Sequence, residues 1–159
     1  DLLISNVYKT VKSTKKKVQF GISPAGNIDN LYLSWSYYCD VKKWMNSNKY
    51  IDYICPQIYW TFTNKTCPFK KTCLRWAKLP RNKNVKLYIG LAGYRAGLSK
   101  SQAKAVSDIG WSKSNTILKR EVLYGRSTKK VSGYVLFSYA DLSRKAASKE
   151  IANLKKIFK

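Results

Sequence analysis

The chain contains no histidine, four cysteines (Cys39, Cys55, Cys67 and Cys73) and eight acidic residues, and these counts restrict the chemistry it can carry. Without an imidazole, neither a Ser-His-Asp nor a Cys-His site can form within the chain. The cysteines include no C-x2-C pair, the spacing typical of structural zinc, so no metal site is expected; no cofactor is expected either. Cys67 and Cys73 bracket the loop Pro68–Thr72, which suits a small disulfide in an oxidising compartment. Four cysteines also allow three full pairings, and Cys55, inside an apolar run, reads as well as a buried thiol. What remains for acid-base work is the set Asp1, Asp29, Asp40, Asp52, Asp108, Glu121, Asp141 and Glu150.

Against those eight acids stand 31 lysines and arginines, a formal charge of +23. A field of that size favours polyanionic partners, although salt confines it to about 8 Å. The charge is spread along the chain as well as clustered at Lys15–Lys17 and Lys129–Lys130. A solvated basic surface and a polyanion-binding face satisfy it equally.

Four apolar, β-branched and aromatic runs supply the frame that must position any site: residues 18–24, 51–60, 85–92 and 132–139. Each has the length of a buried strand and stops in small, polar or aromatic residues. Helical patterns alternate with them. Leu3, Val7 and Val11 form one stripe over residues 2–12, and shorter helices are expected at 38–45 and 72–77. Ser99 and Gln102 make a capping-box signature, Asn115–Tyr124 reads as helix ending before Gly125, and Ala147, Ile151, Leu154 and Phe158 mark a closing helix. Residues 27–36, rich in Asn, Tyr and Trp, read as a long functional loop. Such alternation implies parallel strands with right-handed crossovers, and 159 residues suffice for one domain, residues 1–159.

Pleat parity refines the fold class. In the 51–60 run Ile54 and Ile58 share one face, and Cys55, Gln57 and Tyr59 the other; Gln19, Gly21 and Ser23 alternate likewise with Val18, Phe20 and Ile22. A polar face opposite a helix-covered apolar face is what β/α-barrel strands show near the mouth, whereas a doubly wound sheet buries both.

The segments Phe20-Gly21-Ile22-Ser23-Pro24-Ala25-Gly26-Asn27, Ile51-Asp52-Tyr53-Ile54-Cys55-Pro56-Gln57-Ile58-Tyr59-Trp60, Leu87-Tyr88-Ile89-Gly90-Leu91-Ala92-Gly93-Tyr94 and Gly133-Tyr134-Val135-Leu136-Phe137-Ser138 resemble, in order, strands of the glycoside-hydrolase-like family-10 proteins. The resemblance, which runs from about Val18 to Leu142, implies a secreted or cell-envelope bacterial protein with a TIM-barrel fold. The four strands would be the fifth to eighth, so the chain is expected to be the C-terminal half of a (β/α)8 barrel, four parallel strands alternating with helices; a full barrel takes about 250 residues. The acidic Asp-Asp-Tyr type motif that the resemblance places after the fourth strand would then lie upstream of Asp1.

Glycoside hydrolysis uses two carboxyls flanking the scissile bond. Asp52 falls at the start of its strand, the stability end of a barrel, and reads as a capping or loop hydrogen-bonding residue. Glu121 and Glu150 fall on helices and read as surface charges. Asp29 and Asp141 follow strand ends but read as turn or cap residues, so no catalytic pair is assigned to this chain. Through the resemblance, Gln57, Tyr59 and Trp60 are expected to bind substrate, as a stacking platform with an amide suited to sugar hydroxyls. Asn27, Trp35, Tyr94, Ser138 and Tyr139 fall on the same rim.

Three functions are therefore compatible with the sequence. The first is part of a glycoside hydrolase acting on a peptidoglycan-like envelope glycan or other anionic wall polymer. The second is a non-catalytic carbohydrate- or wall-binding half barrel, and the third an electrostatic polyanion binder, without any motif for a specific nucleic acid. No run approaches the ~20 apolar residues of a membrane span, and Asp1-Leu2-Leu3-Ile4 lacks the sections of a signal peptide. Four barrel strands leave two sheet edges unpaired, so the missing N-terminal half or a second copy of the chain is the expected partner.

Overall fold

The structure, a computed structural model, describes residues 1–33 and 37–158; Trp35 lies outside the described residues. Four strands, β1 (Gly21–Ile22), β2 (Tyr53–Ile54), β3 (Lys86–Leu91) and β4 (Gly133–Leu136), form one sheet in the order β1-β2-β3-β4. Every neighbouring pair is parallel. Helix α1 (Leu2–Thr14) precedes β1; α2 (Ile28–Tyr32) and α3 (Val41–Met45) follow it. Helix α4 (Phe69–Lys78) lies between β2 and β3, α5 (Lys100–Ala105) and α6 (Ile117–Ser127) between β3 and β4, and α7 (Tyr139–Leu142) and α8 (Ser148–Lys155) close the chain. This is the half α/β barrel expected from the alternation.

The regular ladders of β1 and β2 are shorter than the apolar runs, for a local reason. Pro24 and Pro56 lack the N–H a ladder needs, yet pairing continues past them. Gln57 N–H donates to Pro24 O at 3.0 Å, Ile58 N–H to Gly90 O at 3.0 Å and Gly90 N–H to Pro56 O at 2.9 Å.

The two faces of the sheet divide as parity requires. Ile54, Ile58, Leu87, Ile89 and Leu91 are fully buried against α3, α4 and α6, in one core with Trp44, Phe69, Trp76 and Leu118. On the concave face glycines alternate with tyrosines across the strands. A Cβ on Gly21 would come 2.3 Å from the Tyr53 ring, and one on Gly133 would come 3.1 Å from that of Tyr88. The two tyrosine rings lie 5.2 Å apart. Small residues on the outer strands thus make room for large ones on the inner strands. Farther along the same face of β4, Val135 is 49% exposed and Phe137 57%.

Three expectations are corrected. Half of the expected loop 27–36 is helix α2, because Asn27 accepts the Asp29 N–H as N-cap and Ile28 and Leu31, one turn apart, are buried. Glu121 and Glu150 are not surface charges: Glu121 is 0% and Glu150 1% exposed. Glu121 belongs to the buried stripe Ile117, Leu118, Glu121, Val122 and Gly125 of α6, and Glu150 on α8 accepts the Leu118 N–H at 2.7 Å, serving the start of α6. Finally, Cys67 and Cys73 are separate thiols. Cys67 adjoins Arg75, Asp29 and Lys71, whereas Cys73 sits on the buried face of α4 beside Glu121, where burial pushes its thiol up to about 12.

Candidate functional site

At the carboxyl ends of β2, β3 and β4 three aromatic rings meet. Tyr59 and Tyr94 are edge to face at 5.6 Å, Tyr59 and Phe137 stack at 6.3 Å with 20° between planes, and Tyr94 meets Phe137 edge-on at 6.1 Å. The backbone sets this geometry. Burial of Ile58 against the helices turns Tyr59 to the concave side, and the Tyr94 N–H, in the short 3-10 turn Gly93–Arg95, donates to Phe137 O at 2.9 Å.

Two arginines brace the cluster from behind. Arg95 Nη1 donates to Tyr59 O at 2.6 Å while its guanidinium lies 5.3 Å from the Tyr94 ring centroid. Arg144 Nη2 donates to Tyr94 O, also at 2.6 Å. Burial, then the neighbouring Tyr94 and Cys55, push the Tyr59 hydroxyl above its ordinary value, and burial takes Cys55 to about 11. Both groups are therefore neutral at pH 7.

Gln57 lies beside this cluster, bridging to Ala25 on one side and Gly90 on the other. Its side-chain nitrogen donates to Ser23 O at 3.0 Å, and the Ser23 hydroxyl donates to Cys55 O at 2.8 Å. That arrangement orients the amide and uses one of its two N–H groups. Trp60 points elsewhere, packing over the backbone of Gly26, where an added Cβ would lie 2.8 Å from the indole and 2.4 Å from Gln57 O. Trp76 Nε1 donates to Gly26 O at 2.7 Å, so two indoles clamp the turn after β1.

The structure thus brings Tyr59 and Tyr94 together, keeps Gln57 on the same face two residues before Tyr59, and distributes the other expected residues around them. Asn27 caps α2 and lines a separate hollow of about 200 Å3 with Asp29, Cys67 and Arg75. Ser138 forms a capping box with Asp141, its hydroxyl donating to Asp141 Oδ2 at 2.7 Å. Tyr139 is 89% exposed. Phe137 and Arg95 were not singled out in the sequence. Phe137 was legible, because it shares the parity of Gly133 and Val135 on the concave face; Arg95 was not, because its partners are backbone carbonyls remote in sequence.

The acids near the strand ends are engaged in structural roles. Arg75 donates two hydrogen bonds to Asp29, at 2.9 and 2.5 Å, which hold that carboxyl below its usual range. Asp141 is held by Ser138 and lies 3.4 Å from Arg144 Nε. At the other end of the sheet Asp52 accepts from Phe20 N–H at 2.7 Å and Tyr8 O–H at 3.2 Å, and pairs with Lys12 at 2.6 Å. Among the described residues no group of three or more Cys, Asp or Glu side chains is arranged to hold a metal ion, and no helix is long and apolar enough to cross a membrane.

A sequence profile of the glycosyl hydrolase-like 10 proteins matches residues 1–108. The chain is 29% identical over 166 residues to glycosyl hydrolase DigH of Escherichia coli K12, an alignment covering 96% of this chain and 36% of that protein. It is 29% identical over 161 residues to glycosyl hydrolase YngK of Bacillus subtilis, covering 89% of this chain and 29% of that one. The chain therefore spans about a third of the length of these relatives.

Proposed function

The chain belongs to the glycosyl hydrolase-like 10 family, and from that premise we propose that it supplies the substrate-holding half of a glycoside hydrolase acting on a peptidoglycan-like glycan of the bacterial cell envelope. The observation that carries this reading is the Tyr59–Tyr94–Phe137 cluster over the strand ends. An uncharged ring with an exposed face packs against the C–H face of a pyranose, and the oriented amide of Gln57 bonds a ring hydroxyl. The chain works outside the cell or in the envelope, where its charge of +23 favours association with anionic wall polymers. Four further β/α units, from a longer polypeptide, pair with the edges of β1 and β4 and bring the carboxyl pair; a second copy of the chain would pair the edges without supplying one.

Binding to purified peptidoglycan tests the holding role. Tyr59→Ala and Phe137→Ala should each weaken it by about two- to tenfold, the range of one aromatic contact. Binding that both variants retain and salt abolishes would instead be electrostatic. A second reading, a wall binder without turnover, is favoured by the engagement of Asp29 with Arg75 and of Asp141 with Ser138. Reducing-sugar release by the polypeptide that includes the completing half separates the two: release supports the enzyme, and retained binding without release supports the binder.

A further inference from the structure

At the end of the sheet opposite the aromatic rim, the connection from α4 to β3 and that from α6 to β4 flank an open cavity of about 630 Å3. Lys78, Arg81, Lys83 and Lys130 line it, and no acidic residue does. Part of this charge has a local explanation. Helices α4 and α6 end here, and cations at helix C-termini complement the last carbonyls. Each helix end carries roughly half a negative charge, so the two together offset about one of the four cations. About three positive charges are left.

Side chains do not neutralise the remainder. The ion pairs among the described residues engage Lys12, Lys43, Arg75 and Arg144, none of which lines this cavity. Arg81 is partly buried, and its Nη2 donates to Lys130 O at 2.9 Å. The bond fixes the guanidinium in place, and the fork retains further donors with the geometry of a phosphate. Burial draws the Arg81 pKa below the usual arginine value. The cavity lies where the chain enters β3 and β4, at residues 74–83, 128 and 130.

We propose that this cavity binds a linear phosphodiester polymer through its phosphate groups. The walls favour a polymer without bases, because their apolar part is aliphatic, from Leu74, Leu79 and Pro80, and offers no ring for base stacking. The site goes beyond the glycan-holding rim and does not depend on it. A protein with both would be held on a phosphate-rich support by one end while the other faces glycan.

The test is titration of the whole chain with a poly(glycerol phosphate) oligomer and, in parallel, with an oligo-dT of equal charge. Arg81→Ala/Lys83→Ala/Lys130→Ala should weaken oligomer binding by at least about tenfold and flatten the dependence of log affinity on log salt by roughly two, at about 0.7 to 0.9 per lost phosphate contact. Lys100→Ala/Lys104→Ala/Lys113→Ala removes the same charge from exposed positions elsewhere and should cost less than about threefold. Lys83→Ala/Lys130→Ala, which leaves the partly buried Arg81 in place, gives an intermediate loss and covers the case in which the triple variant does not fold. Equal losses in the cavity and control variants would overturn the proposal, leaving general electrostatics. Tighter, cavity-dependent binding of oligo-dT would overturn the choice of polymer. Peptidoglycan binding through Tyr59 should be unchanged in the cavity variants, so failure at one end is distinguishable from failure at the other.

Discussion

Replacing Glu121 by glutamine is expected to stabilise the protein, and to do so more strongly as the pH rises. Neither Glu121 carboxyl oxygen has a hydrogen-bond partner, and the side chain is 0% exposed. Burial raises its pKa well above the ordinary 4.5, and the nearby Glu150 and Asp108 add to the effect. Because the folded-state pKa is the higher one, the folded protein holds this proton over a range in which the unfolded chain releases it. Stability is therefore lost as pH climbs from about 4.5 toward the folded value, by about 1.4 kcal/mol per pH unit. Glutamine has the shape of the protonated acid and does not titrate. The lead of the variant over the parent should therefore widen by up to about 1.4 kcal/mol, or roughly 3–6 °C in melting temperature for a chain of this size, with each pH unit above 4.5 until Glu121 ionises in the folded protein. Thermal or urea unfolding of both proteins in half-unit steps from pH 4.5 upward measures the gap. A difference that does not change with pH, or a variant less stable throughout, would refute the reasoning, since either requires Glu121 to be charged and compensated in the folded state.

Two further substitutions test the frame around the rim. Gly26→Ala places a methyl 2.4 Å from Gln57 O and 2.8 Å from the Trp60 ring; it should cost about 1–3 kcal/mol in urea unfolding and alter Trp60 fluorescence. Asp52→Ala leaves the Phe20 N–H and Tyr8 hydroxyl without their acceptor and Lys12 without its partner. It should cost about 1–3 kcal/mol of stability while leaving glycan binding at the opposite end unchanged; a selective loss of binding in a fully folded variant would contradict its placement at the structural end.

Much of the fold was legible because it rests on short-range periodicity. The period of two in residues 51–60 gave both the strand and the facing of Gln57 and Tyr59 toward the concave side, and Ser99 with Gln102 forms the capping box that its spacing implies. The place of Asp52 at the start of its strand points to a capping or loop hydrogen-bonding role, and Phe20 N–H, Tyr8 and Lys12 hold it there. Short range also explains the misreadings. By residue type Glu121 reads as a surface charge, yet its place on the α6 stripe, flanked by Leu118 and Val122, puts it on the buried face. The first turn of α2 was hidden in a polar loop because Asn27 was weighed as a ligand and not as a cap.

What no local pattern held is the meeting of remote segments. The Tyr59, Tyr94 and Phe137 rings come from three strand ends, and the carbonyls that hold Arg95 and Arg144 lie 36 and 50 residues away along the chain. The basic cavity likewise joins residues 74–83 to residues 128–130. Residue types and periodicity specify what each element buries and which side chains it presents. Which presented groups become neighbours depends on strand order and crossover packing, since contacts of that kind arise only when the elements close on a common core.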